Sequence, residues 1–378
     1  MSQMQLCHIV TGLNRGGAER ALHTLLTNGL QDHFQNRVIS LMDEGIYGAR
    51  FVELGVPVTT IKLNRGRLSF GGLRRLMQNL SEDPPNILQG WMYHGNLAAT
   101  LGRFILPSTP ILVWNIRCAV GSYGDIGRST HALLQLLKLM SAVPDSILYN
   151  SSNARSQHMK FGFLDQRAQV IPNGFNLLEW QPSPSKREAA RKAIHLPSKA
   201  QVVGYIGRNH PQKDLKTLFS AISRLRATGP LPHFVLIGAD LKAAMPHGFP
   251  EQNLTFLGDQ SDLAAIIPAF DFLCLTSRSE GFPNVLGEAM ACGVPCITTD
   301  AGDAEMIVGE TGWVVPREDP EALAAALRNV LLTPPNELSK RGDAARTRIE
   351  TTFSSASAVA KYTKLYEGLI ARRQQCAE

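Results

Sequence analysis

The sequence has no Cys-x-x-Cys pair; its six cysteines, Cys7, Cys118, Cys274, Cys292, Cys296 and Cys376, are scattered along the chain. Thiols so placed, with no exported context, are expected to stay reduced in a cytoplasm. Cys292 and Cys296 flank a helix end, yet no histidine or cysteine cluster completes a metal site around them. No stretch approaches the roughly 20 apolar residues of a membrane span, so a soluble or peripheral protein is expected. The first apolar run, Leu6 to Val10, has no basic flank ahead of it and reads as a buried strand rather than a signal peptide. Aromatic residues make up 7% of the chain and no aromatic-studded basic motif occurs, which argues against a nucleic-acid partner. Repeats, low-complexity tracts and coiled-coil heptads are also absent.

What is present points to more than one domain. At 378 residues the chain exceeds the roughly 250–300 residues at which a single core stops growing. With 44% hydrophobic and 19% charged residues it can bury a sizeable core. The net charge of +6 is uneven: residues 1–178 hold 16 Lys and Arg against 10 Asp and Glu, whereas residues 179–378 hold 22 of each. Between Glu53 and Asp125 the acids are Glu82 and Asp83, against Lys62, Arg65, Arg67, Arg74, Arg75, Arg103 and Arg117. The N-terminal half therefore faces, or at least tolerates, something anionic. Its segment KLNRGRLSFGGLRRLMQNL interleaves Leu68, Phe70, Leu73, Leu76 and Met77 with Arg65, Arg67, Arg74 and Arg75. A basic amphipathic helix of this kind can lie on an anionic membrane surface. The alternative is a core-facing apolar stripe with a solvated basic face.

Short β-branched runs alternate with amphipathic stretches throughout. Strands are expected at Leu6–Val10, Arg37–Leu41, Ile111–Asn115, Ser146–Tyr149 and Ala168–Ile171, then at Gln201–Ile206, His233–Ile237, Asn253–Leu257, Asp271–Leu275 and Pro295–Thr298. Such alternation predicts an α/β fold with parallel sheets covered by helices on both faces. The Pro-, Asn- and Ser-rich stretch VIPNGFNLLEWQPSPSKRE separates the two series and reads as a linker. This divides the chain into residues 1–178 and 179–353, followed by one long helix within 354–378. Two doubly wound Rossmann-like domains in tandem would face each other across a cleft at the carboxyl ends of their strands, where ligands bind.

The most informative segment is SEGFPNVLGEAMACGVP, Ser279 to Pro295. It follows an apolar strand, so Ser279 to Pro283 form a loop at a strand's carboxyl end. Asn284 is expected as N-cap, and Gly293 with Pro295 as the helix stop. A helix starting there directs its amides and positive dipole end toward an anion such as a diphosphate. Glu280 on the loop and Glu288 just over a turn inside the helix flank that position; the bland alternative is a solvated Glu280 and a helix-surface Glu288. In YIGRNHPQKDLKTL, Tyr205 to Leu218, a strand ends at Ile206, Gly207 permits a sharp turn, and Arg208 and Lys213 can converge on one anion. Two surface cations beside Asp214 are the alternative. In VTGLNRGGAERAL the spacing Gly12-x3-Gly16-Gly17 departs from a dinucleotide fingerprint, but Gly16 and Gly17 let backbone approach a ligand at a helix start. His94 follows a strand and opens a helix. Asn115 and Arg117, after another strand, are candidates for acceptor contacts, while Asn150 and Asn173 read as turn formers.

Glu280-x7-Glu288 within EGFPNVLGEAMACGVP resembles the signature of retaining glycosyltransferases of family 4, which have the two-domain GT-B fold. The resemblance spans nearly the whole chain, and the segment looks most like enzymes that build bacterial surface polysaccharides such as lipopolysaccharide, capsule and exopolysaccharide. It implies an N-terminal acceptor domain, a C-terminal nucleotide-sugar domain and a last helix that crosses back to the first. Glu288 would hold the donor ribose, and Glu280 the hydroxyls of the transferred sugar. The backbone of Gly281, Phe282, Pro283, Asn284 and Val285 would contact sugar and phosphates. Arg208 and Lys213 would stabilise the departing diphosphate in place of a metal, and the chain contains no Asp-x-Asp. The Gly16–Gly17 loop would lie near the donor phosphates, and His94 would contact the transferred sugar. The implied reaction is retaining, metal-independent hexosyl or N-acetylhexosaminyl transfer from a nucleoside-diphosphate sugar, with UDP favoured, to a saccharide or lipid-linked acceptor. No cofactor is expected, and the location is cytoplasmic or peripheral on the inner face of the membrane. One departure stands out. The run AGDAEMIVG carries Asp303 where the family often has a second glycine and Met306 in the usual acid's place, so no role passes to Glu305. The rival readings are a GT-B sugar-nucleotide epimerase, an inverting transferase, and a nucleotide-sugar-binding regulatory protein without turnover.

Overall fold

The structure is a computed structural model that describes residues 3–14, 16–63, 69–120, 127–197 and 200–375. Arg65, Arg67, Leu68, Asp125 and Cys376 lie outside the described residues. Thirteen strands occur among those described: β1 (Met4–Val10), β2 (Phe34–Ser40), β3 (Val58–Thr60), β4 (Ile87–Trp91), β5 (Ile111–Ile116), β6 (Ser146–Tyr149), β7 (Ala168–Val170), β8 (Val202–Ile206), β9 (His233–Ile237), β10 (Leu254–Gly258), β11 (Phe272–Leu275), β12 (Cys296–Thr299) and β13 (Trp313–Val315). They form two sheets, ordered β3-β2-β1-β4-β5-β6-β7 and β10-β9-β8-β11-β12-β13, and every pairing is parallel. β4, β5 and β11 are buried along their whole length, as strands covered by helices on both faces must be. β2 starts at Phe34 rather than Arg37, because Phe34 and Asn36 already alternate inward from the exposed Gln35. β3 and β13 are three-residue edges, too short to show a period in sequence.

The chain divides into two compact units, Met1–Gly174 with Ser355–Glu378, and Phe175–Ser354. The boundary thus falls at Gly174, inside the Pro- and Asn-rich stretch and ahead of residue 178. In the first unit the helix Ser355–Gln375 buries Val359, Tyr362, Tyr366 and Leu369 among Leu6, Ile87 and Val113. Polar contacts fix its register. Asn115 Nδ2 donates to Tyr362 Oη at 2.8 Å, Tyr366 Oη donates to Gln89 Oε1, and Ser355 Oγ donates to Asn28 Oδ1 at 2.8 Å. The interior also holds two histidines, His8 and His158, kept neutral by burial, which pushes each pKa down to about 4. The Trp91 indole N–H donates to His8 Nδ1 at 3.2 Å, which leaves the other ring nitrogen to donate to Asn36 Oδ1 at 3.0 Å. A proton on Nδ1 would face another donor in a dry core.

In the second unit an aromatic cluster anchors the loop that the sequence singled out. Phe175 N donates to Phe353 O at 2.8 Å, and the Phe282 ring packs on both, with centroids 6.2 Å from Phe175 and 5.9 Å from Phe353. Gly287 makes room for this, since a Cβ there would lie 2.1 Å from the Phe175 ring. The helix Phe70–Glu82 fits the core-facing alternative for its apolar stripe: Leu76 and Leu80 are buried with Leu63 and Met77 in the first unit's own core. Arg75 donates to the Ile61 carbonyl at 2.7 Å, and Phe70 is 86% exposed.

Candidate functional site

In each sheet the strand order reverses once, between β1 and β4 and between β8 and β11. Loops at the carboxyl ends of the two strands flanking such a reversal diverge and leave room for a ligand. In the second unit these are the loops after β8 and β11, which carry Arg208, Lys213, Glu280 and the helix Asn284–Ala291.

The two loops are laced together by backbone. Arg278 N donates to Gln212 O at 2.7 Å, while Gly207 N ties the β8 loop to the end of β9 at Ile237 O, 2.9 Å away. Thr276 Oγ1 donates to Lys213 O at 2.8 Å. Asp214, buried and in the left-handed region at φ 47°, caps the next helix through the Thr217 amide and hydroxyl. The chain thereby turns so that Lys213 Nζ meets Glu280 Oε1 at 2.5 Å. Ser277 Oγ donates to the same carboxylate oxygen at 2.6 Å, and Thr299 Oγ1 donates to Ser277 O at 2.6 Å. Gly302, at φ 64°, lies against this loop so closely that a Cβ would fall 2.2 Å from Glu280 O. Arg208 leaves the same β8 loop, is exposed, and has no ion pair among the described residues.

Pro283, not Asn284, is the N-cap of the helix Asn284–Ala291. The ring fixes φ at −73°, so the entry is set by proline geometry rather than by a capping side chain, and Asn284 becomes the first helical residue. No side chain caps this start, and the amides of Asn284 and Val285 sit at the positive end of the dipole. Glu288 follows one turn later and is 2% exposed. Gly281 accepts from the Asp303 amide at 3.2 Å; Asp303 is buried at the start of the next helix, while Glu305 is exposed.

The first unit holds the other singled-out residues. Gly16 is the N-cap of the helix Gly17–Leu25. The Glu19 carboxylate folds back over it, since a Cβ on Gly16 would lie 2.2 Å from Glu19 Oε2, whereas Gly17 has open space. β4 passes directly into the helix Met92–Ile105, with Met92 in the left-handed region at φ 61°. Gly90 and Gly95 permit this abutment: a Cβ on Gly95 would lie 2.4 Å from Ile9 O. His94 stands exposed in that first turn, its pKa lowered by partial burial, so the neutral imidazole prevails. Asn115 is fully buried, and its side chain donates to Tyr362 Oη, which anchors the last helix. Arg117 donates to Tyr362 Oη at 3.2 Å and to Asn173 Oδ1, with its guanidinium 5.4 Å from the Trp91 ring centroid.

A family model described as glycosyl transferases group 1 matches residues 200–333. Residues 200–333 are a group 1 glycosyl transferase domain. Arg208, Lys213, Glu280 and Glu288 all fall inside it. An MMP alpha-(1→4)-mannosyltransferase of Mycolicibacterium hassiacum is 27% identical over 248 residues, covering 62% of this chain and 56% of the relative. A D-inositol 3-phosphate glycosyltransferase of Rhodococcus erythropolis is 31% identical over 53% of this chain and 48% of the relative. The chain thus matches about half the length of these relatives. Among solved structures, HepE of Anabaena in complex with UDP aligns with a TM-score of 0.82 over 97% of this chain and 100% of that one, at 19% identity. This likeness shows the fold, which is GT-B.

Arg208, Lys213, Glu280 and Glu288 were legible as candidates in the sequence, whereas Ser277, which bonds Glu280, and Gly302, which packs against it, were not. The Glu280-x7-Glu288 spacing pointed to neither. Gly302 carries a local signal, a glycine three residues beyond the Thr299 strand end, whereas Ser277 looks like any loop serine.

Proposed function

We propose that this chain is a retaining glycosyltransferase that moves a hexosyl or N-acetylhexosaminyl group from a nucleoside-diphosphate sugar, UDP-linked in the first instance, to an acceptor. The observation that carries the reading is the Lys213–Glu280 ion pair, held on the two loops of a strand-order reversal beside an uncapped helix start. A diphosphate arriving at that helix start competes for Lys213 and releases the Glu280 carboxylate toward sugar hydroxyls. Arg208 supplies the second cation and Glu288 the ribose contact. Fixed cations stabilise the charge that develops on a leaving diphosphate without a metal. HepE was solved with UDP-glucose as well as UDP, which favours a UDP donor here. A screen of UDP, GDP and ADP sugars by thermal shift and donor hydrolysis, with and without EDTA, tests the reading. Stabilisation and turnover with a UDP sugar that survive EDTA are expected. Binding without any turnover would favour the regulatory alternative, and activity abolished by EDTA and restored by Mg²⁺ would sink metal independence.

A lipid-linked saccharide of surface-polysaccharide synthesis suits an anionic membrane, and the excess positive charge of residues 1–178 together with exposed Phe70 and Arg74 supports peripheral attachment. No described helix is long and apolar enough to cross a membrane. Each basic residue near an anionic surface contributes about 1 kcal/mol. Neutralising Arg65, Arg67 and Arg74 together, and sparing Arg75 for its bond to Ile61, should therefore cut cosedimentation with anionic vesicles by about 10²-fold. Equal recovery with zwitterionic vesicles would mean the basic face is ordinary solvated surface.

A further inference from the structure

Among the described residues Arg117 is a cation without a counterion, and its acceptors there are all neutral: the Tyr362 hydroxyl at 3.2 Å, Asn115 Oδ1 at 3.4 Å and Asn173 Oδ1. The face of Trp91 covers the guanidinium. No carboxylate lies within ion-pair distance of it among the described residues, and its buried Nε–H has no acceptor there. Arg187 and Arg191, which likewise bridge neighbouring elements, share the Asp271 carboxylate. Sheltering a guanidinium while leaving its charge uncompensated is costly unless something else supplies the anion. Burial indeed pulls the Arg117 pKa below its usual value.

The acid that feels Arg117 is Glu19: burial pushes its carboxyl pKa up, against the downward pull of its own backbone and of the Arg117 charge, and its carboxylate is folded over Gly16 rather than paired with Arg117. Arg117 follows β5, next to β4 in the sheet, whose order reverses between β1 and β4. The side chain is only half-buried, so a solute can reach it. The unit around it is rich in positive charge, which draws anions.

We propose that Arg117 is an oxyanion-binding residue of the first unit, and that the acceptor carries a phosphate or carboxylate which completes its guanidinium. The word acceptor rests on the transfer reading; the anion site itself does not. A planar guanidinium suits either oxyanion, so the two sources are separated by the probe.

The experiment uses the full chain carrying Arg208→Ala and Lys213→Ala, which removes the two cations of the proposed diphosphate clamp in the other unit. Calorimetry with inorganic phosphate, and separately with malonate, is expected to show one site for at least one of them, the tighter naming the class. Adding Arg117→Gln should weaken that binding by about tenfold or more, the worth of a charge-assisted hydrogen bond. Adding Glu19→Gln instead should strengthen it by about threefold, because a like charge is removed. Neither anion binding, or binding that Arg117→Gln leaves unchanged, overturns the proposal. Should Arg117→Gln fail to fold, the Glu19→Gln arm decides, since no rise in affinity there also counts against it. The transfer reading fails separately, if the unaltered chain does not bind UDP.

Discussion

Arg208→Ala and Lys213→Ala are each expected to lower turnover by about 10²-fold or more, the cost of losing one preorganised charge at a leaving group. The two should differ in a way that the ligand-free structure explains. Arg208 is exposed and has no ion pair among the described residues, so its loss should leave folding stability within about 0.5 kcal/mol. Lys213 is the cation of Glu280, both partners being largely buried, with 21% and 15% of their side chains exposed. Removing it takes the counter-charge from a sheltered carboxylate, so Lys213→Ala should lower the melting temperature as well as turnover. Steady-state kinetics with thermal melts of both variants checks this. Full turnover in either variant would remove that cation from the proposed diphosphate clamp.

Glu288→Ala and Glu280→Ala should fail at different steps. Glu288 lies one turn into the helix Asn284–Ala291 and is assigned the ribose, so its loss should weaken free UDP by about tenfold or more, the cost of an unmade hydrogen bond to a charged group. Glu280 is assigned the transferred sugar, so Glu280→Ala should leave free UDP nearly untouched. It should even bind UDP slightly tighter, because Lys213 no longer has a carboxylate to leave. Its transfer rate should nonetheless fall by about 10²-fold. Calorimetry with UDP alone, beside turnover with the sugar nucleotide, separates the two. Equal losses of UDP affinity would sink the assignment.

The parts of the site that local chemistry writes into the chain were legible. A strand, a glycine-bearing loop, a proline and a helix follow one another in SEGFPNVLGEAMACGVP, and the structure has that succession. The error at its centre is one residue wide: Asn284 is a good capping type, but Pro283 already fixes the entry backbone, so the asparagine moves into the helix. What sequence could not supply is partnership across distance. Lys213 and Glu280 stand 67 residues apart, and Arg117 and Tyr362 stand 245 apart; no spacing rule joins them before the sheets assemble. The apolar stripe Leu73, Leu76, Met77 and Leu80 is equally compatible with a membrane and with a core, and only the packing of Leu63 and β-strand neighbours against it decides.

The helix Ser355–Gln375 belongs to the first unit although some 180 residues of the second precede it on the ribosome. Synthesis at about 5–20 residues per second puts roughly 10–40 s between the emergence of β7 and that of Tyr362 and Tyr366. Over that interval the β-strand face with Leu6, Ile87 and Val113 lacks this helix and has only the unit's earlier elements, such as Leu22, Leu26 and Phe51, beside it. The second unit, continuous in sequence, faces no such wait. The nascent first half is therefore the stage of this protein's life at which a chaperone has most to hold.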